Sequence, residues 1–532
     1  MKASLVINFL FHKIIVFLLL FLLSVRCQQS VDFKPESVQR ISRKPRIKPD
    51  YTDIVIPPNI APLNFVVRES ARKYWVKIHA ANGKPIQILT SNASVQIPLK
   101  QWQALLTRNR GNDFFIDIYA QDTLGTWRRF QPIVNHIAHE KIDPYLVYRL
   151  LLPGFIKWKE IGIYQRNLEN FEVTEILHNR FLDNACLNCH TFDPTGKKML
   201  LHLRAGPGTG MLLSQGEQVV KVNTKTSFTG HAAYAAWHSA GGWIAFAAIN
   251  VHQFFHASGE NREVFDTASD IFLYHIDSNL ITTSLTIAGP EWMETYPAWS
   301  ADGRYLYFCR APQFDAARHF SEQYRQIKYD LCRIAFDPES NTWGEVETII
   351  SSQETSQSIA HPKVSPDNRY LVFCMSAYGN FTIYHPDSDL YLLDLKTGQY
   401  QKMPVNSEQC ESYHAWSSNS RWLVFSSKRS GGLWAQPYLC YLDKNGLASK
   451  AFVLPQKAGD FYEHFLRTFN LPEFTQQPVR ISTRTWHEAA FQREKWVQAQ
   501  LDSHLHRLQP QFESEMPWQP VSIDENPSNS NR

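Results

Sequence analysis

The chain has 532 residues, 44% hydrophobic and 13% aromatic, with a formal charge of +4. That length accommodates two or three domains, and the composition excludes a disordered or low-complexity protein. The charge argues against nucleic acid as a partner, because Lys2, Lys13 and Arg26 lie in an acid-free leader and their removal leaves +1.

Residues 1–27 read as a signal peptide. Lys2, His12 and Lys13 precede the apolar run 14–23, a basic n-region followed by an h-region too short for a comfortable membrane span. Cys27 leaves two alternatives open, plain secretion and a lipid anchor at Cys27. Arg26 stands where a small residue precedes a lipidated cysteine. Either route predicts an extracytoplasmic, periplasmic protein that touches the membrane only through such an anchor.

Residues 28–55 are rich in Pro, Lys and Arg without apolar periodicity and read as a linker. From 56 to 140, alternating segments at 63–67, 74–80, 86–90, 95–99 and 114–120 are separated by turn signals such as Asn82-Gly83 and Leu124-Gly125. They predict a small β-sandwich-like domain, with a short helical stretch from Trp102 to Arg108.

The next chemical signal is Cys186-Leu187-Asn188-Cys189-His190. Cys-x-x-Cys-His is the c-type haem attachment pattern: two thiols form thioethers to the haem vinyl groups, and the following histidine ligates the iron. A zinc site needs two further ligands, usually another close pair, and the remaining cysteines are scattered at 309, 332, 374, 410 and 440. The expectation is one covalent haem c on Cys186 and Cys189, with His190 as proximal ligand.

The chain then repeats. Tyr234-Ala-Ala-Trp237, Tyr296-Pro-Ala-Trp299, His361-Pro-Lys-Val364 and Tyr413-His-Ala-Trp416 each open a strand, tight turn and strand ending at Phe246, Phe308, Phe373 and Phe425. A third strand follows at 269–274, 329–334, 388–393 and 436–441. These units resemble the blade repeat of TolB-type β-propellers, whose mark is an aromatic followed by Ser-Pro-Asp-Gly, over about 190–455. A fifth copy starts in the haem motif itself, with Cys189 in the place of Tyr296 and Phe192 in that of Trp299. Strands at 145–151 and 160–168, with 451–454, complete a sixth blade in this reading. The predicted fold is mainly β: a propeller of about six blades over 141–475, preceded by the sandwich-like domain. A C-terminal helix from Thr485 to Leu505 and a disordered tail then occupy 476–532.

In such a ring the inner strands begin on one face, here termed the start face, and turn into their neighbours on the other, the turn face. The haem is expected at the start face. Candidate distal ligands are His202, which ends a second strand, then His256 and Met211 in start-face loops; His238, in a turn-face loop, is discounted. Glu294 and Glu411 fall at equivalent positions, either at the channel mouth or binding backbone. Cys309 and Cys332 either form a disulfide within one blade or stay buried free thiols. The resulting expectation is an electron-transfer haem protein with a redox or envelope protein partner. The alternative is a propeller scaffold that binds a protein or envelope ligand and carries a structural or sensory haem.

Overall fold

The computed structural model describes residues 37–152, 160–205, 209–251, 263–313 and 323–507, with backbone alone at 252–255 and 262. The leader, Cys27, His256 and the tail beyond 507 lie outside these residues.

Six sheets form a ring, four of them four-stranded and two, blades 2 and 3, with a fifth strand added at the outer edge. Blade 2 runs outward from Cys186–Phe192 through Met199–Arg204 and Gly210–Gln215 to Gln218–Asn223. Blades 3 to 6 repeat the plan from inner strands Ala232–Trp237, Trp292–Trp299, Ser358–Val364 and Glu411–Trp416. Blade 1 is built from both ends of the ring. Its inner strand is Thr468–Thr475, which pairs with Tyr145–Leu151 and closes the circle. The sequence reading assigned 451–454 to that blade; Phe452–Val453 is instead the outer strand of blade 6, paired with Tyr438 and Leu439. Leu454 continues that edge, and the chain must cross the face of the ring before it can re-enter at the axis.

The repeated turns explain the sequence repeat. The Oγ of Ser300, Ser365 and Ser417 each accepts the amide five residues on, from Tyr305, Tyr370 and Trp422, at 2.9–3.0 Å. A left-handed residue completes each turn: Gly303, Asn368 and Ser420. In blade 2 Asp193 takes the serine's place, its carboxylate accepting the Lys198 amide at 2.7 Å, with Gly196 left-handed. The haem-motif strand is therefore a blade strand with the local chemistry of its neighbours. Apolar side chains between blades supply the cohesion, as with Met293, Cys309, Ile359, Leu371 and Phe373 between blades 4 and 5, each large one worth about 1.5–3 kcal/mol.

Ahead of the ring lies a seven-stranded sheet, a three-stranded sheet and the helix Leu99–Arg108, whose Trp102 meets Phe114 edge-on. The predicted linker is corrected over its described part. Val38–Arg40 pairs with Trp127–Arg129, Ile47–Lys48 pairs with Val66 and Val67, and Tyr51 and Ile54 are fully buried. Arg43 forms a two-pronged bond to Glu69 at 2.7 and 2.8 Å. The prolines break periodicity, but strand partners far along the chain hold the segment in place. The C-terminal helix is also shorter than expected, Thr483–Phe491, capped by Ser482. Val497 and Leu501 then lie in strands that extend the outer edges of blades 2 and 3, paired with Val222 and Ile281, because an outer strand's open backbone offers a ladder partner that a helix cannot use. Among the described residues no helix is long and apolar enough to cross a membrane.

Candidate functional site

Each inner strand breaks its ladder at the same level. Register shifts fall between Ala233 and Ala236, Thr295 and Ala298, Ala360 and Lys363, and Ser412 and Ala415. The bulged residues Tyr234, Tyr296, His361 and Tyr413 all have φ between 45° and 54°, and Leu471 of blade 1 has 50°. A bulky residue in the left-handed region costs about 1–3 kcal/mol and persists only where packing over-determines it. Repetition at five blades turns these side chains toward the axis as a collar. Ring centroids are 4.4 Å apart for Tyr234 and Tyr296, 4.0 Å for Tyr296 and His361, and 4.9 Å for His361 and Tyr413. Blade 2 has its break between Leu187 and His190, with Cys189 inside it. Blade 2 departs from the pattern, for the two residues inside its break, Asn188 and Cys189, both keep a negative φ. Sequence reasoning aligned Tyr234, Tyr296, His361 and Tyr413 as the first letter of each repeat, but only their φ values show that they point inward.

The collar borders a channel cavity of about 290 Å³, at the small end for ligand pockets. Cys189, His190, His202, His361, Lys363 and Glu473 line it, and it reaches the turns at Asp193–Gly196, Pro366 and Ser418. The cavity therefore lies on the turn-face side of the collar, whereas the sequence reading expected the start face. Toward the start face the Tyr296 hydroxyl donates to the Asn380 carbonyl at 2.9 Å, and the Asn380 amide donates to Asp266 at 2.6 Å.

Neither ring nitrogen of His190 or of His202 has a hydrogen-bond partner, although both residues are buried. Burial, aided by Arg149 at His190 and by Arg204 at His202, pushes both imidazoles down to about 3. Both are therefore neutral over the physiological range, as a metal ligand must be. His190 pairs with Leu201 in the ladder, so His202, one residue on, projects from the opposite face of blade 2. Met211 belongs to the apolar core that includes Phe246 and Phe272 and does not line the cavity. His238 accepts the Ala240 amide and contacts the Gly303 carbonyl at 3.0 Å, a turn-stabilising role.

The implied haem can be tested against these groups. Cys189 and the His190 and His202 imidazoles line one cavity, and Cys186 lies outside its lining; a haem c takes both thiols and the following imidazole. Arg149 anchors the motif, donating to the Leu187 carbonyl at 3.1 Å and to Asn188 and Asn470 at 2.9 Å. Cys186 is the less exposed thiol, 5% accessible in the core between blades 1 and 2. It follows two consecutive left-handed residues, Asp183 and Asn184. Burial raises both thiols above their ordinary range despite the nearby cations Arg149 and Arg204. Cys189 and His190 fit the group in donor chemistry and place, while Cys186 would have to leave the core between blades 1 and 2 to join them.

The two equivalent acids are held by their own blades. Glu294 pairs with Arg310 at 3.1 Å, and Glu411 binds Ser407, Ser427 and Arg429. Cys309 pairs with Leu331 and Phe308 with Cys332, so the two cysteines project to opposite faces of blade 4. The disulfide considered from sequence is excluded, and both are free thiols.

No family model matches the chain, and no curated protein matches it. Among solved structures it is similar to TolB from Acinetobacter baumannii, at 11% identity and TM-score 0.38, covering 71% of this chain and 85% of that one. The Dos1 propeller gives 12% identity and TM-score 0.33 over 51% of this chain and 62% of that one. Hydrazine synthase from Kuenenia stuttgartiensis gives 12% and 0.32 over 54% and 74%. By its own strand order the chain is a six-bladed β-propeller, distantly similar in form to TolB and other propellers.

Proposed function

We propose that this protein is an exported c-type haem protein whose propeller channel holds the haem for electron transfer. The observation that carries the reading is His190: it follows Cys189 directly, lines the channel cavity and has no partner for either ring nitrogen. Cys186 and Cys189 would hold the ring covalently and His190 the iron. When bound, the group supplies a one-electron couple whose potential follows from axial ligation, hydrogen bonding and burial. The chain's own part is to position and insulate. The collar rings exclude water on one side, and Arg149 fixes the Leu187–Asn188 backbone. The leader places this chemistry in the periplasm, secreted or anchored at Cys27, with a redox or envelope protein as partner.

The test is expression of the full chain in a host with the haem attachment machinery. Haem that survives acid–organic extraction, with an intact mass one haem above the processed polypeptide, is expected. Cys186→Ala together with Cys189→Ala abolishes the added mass. Haem-free chain from a competent host would remove this reading.

A further inference from the structure

We infer that His361 is the distal ligand of the iron, reaching across the channel toward His190. This rests on the haem reading above.

Four observations converge on it. Cys189 and His190 belong to blade 2 and His361 to blade 5; three blades apart in a ring of six, they face each other across the axis. Counted back from the blade turns, His361 stands four residues before Ser365 as Cys189 stands four before Asp193. It lines the same cavity, and its Nε2 is buried without a partner, the residue being 8% accessible. Its ring is packed between Tyr296 and Tyr413, which fixes its orientation before any ligand arrives. The other collar positions carry Tyr and Leu, so His361 is the one collar side chain of a usual iron-ligand type.

The sequence candidates fare less well by the same geometry. His202 shares a blade with His190 and projects from that blade's other face, so the two do not approach one iron from opposite sides. Met211 is enclosed in the core between blades 2 and 3.

The experiment uses haem-loaded full-length protein, with His361→Ala, His361→Gln and His202→Ala compared to the parent. Haem content is read by mass, spin state by optical and electron paramagnetic resonance spectra, and folding by thermal melting. The parent and His202→Ala are expected to be low-spin. Both His361 variants should keep the full haem mass and turn high-spin, and added imidazole should restore low-spin iron in His361→Ala. Low-spin His361 variants, a high-spin His202→Ala, a high-spin parent or failure of imidazole to restore the spectrum would each overturn the assignment while leaving the attached haem in place. A parent without haem by mass instead defeats the haem reading, and this inference with it.

Discussion

Glu473, on the strand that closes blade 1, accepts hydrogen bonds from the Thr191 hydroxyl at 3.1 Å and the Phe192 amide at 3.2 Å. One carboxylate thus ties the last strand of the ring to the strand that carries Cys186, Cys189 and His190. Glu473→Ala should cost about 1–3 kcal/mol, because two buried donors lose their acceptor. Burial raises the Glu473 carboxyl above its ordinary range, against the pull of Lys363 and the two donors. A raised acid contributes stability that is present below the ordinary carboxylate range and is lost as pH rises through the folded value. Glu473→Gln should remove that pH dependence, which denaturant titration across the acidic range will measure.

Asp266 makes a second, larger pH prediction. It is fully buried, its carboxyl is pushed up to about 7 by burial, and Asn380 is its donor. Its contribution is complete below about pH 4 and is lost as pH rises toward 7, a loss on the order of 4 kcal/mol. Asp266→Asn should be the more stable protein at pH 8 and gain nothing at pH 4. An equal difference at both values would show that the side chain's charge is not the cause.

Closure predicts how truncations behave. A chain ending after Arg467 lacks Thr468–Thr475 and leaves the Tyr145–Leu151 strand without its inner partner. It should lose the cooperative melting of the ring, since a propeller depends on every blade covering its neighbour. A chain ending after Gln476 keeps the closing strand and loses the helix, the two added edge strands and the bonds of Gln165 to Val479 and of Lys221 to Ala490. It should still melt in one transition at a lower temperature, as followed by calorimetry.

The thiols make a chemical prediction. Cys309, Cys332, Cys374, Cys410 and Cys440 are buried and free, and burial pushes Cys332, Cys374 and Cys440 up to about 12. Reaction needs thiolate and access. Alkylation of the native protein should leave all five untouched, and denaturation without reductant should label all five. A mass two labels short would reveal a disulfide that the blade 4 register forbids.

What was legible in the sequence was what local periodicity encodes. The inner strands, the turns led by Ser300, Ser365 and Ser417 and the start of a blade at Cys189 repeat because each blade solves the same packing problem with nearby residues, and six blades follow from counting them. The Cys-x-x-Cys-His pattern is legible for the same reason, since its chemistry spans five consecutive residues. Tertiary structure decided what depends on partners distant in the chain. Leu151 pairs with Thr468 and Val38 with Trp127, so the closing strand and the N-terminal segment could not be placed by pattern alone. The bulges that turn Tyr234, Tyr296, His361 and Tyr413 to the axis leave no mark in an alternating sequence. A single register step decides which face of a strand a side chain takes, and that step puts His202 away from His190 while the count of blades sets His361 opposite it.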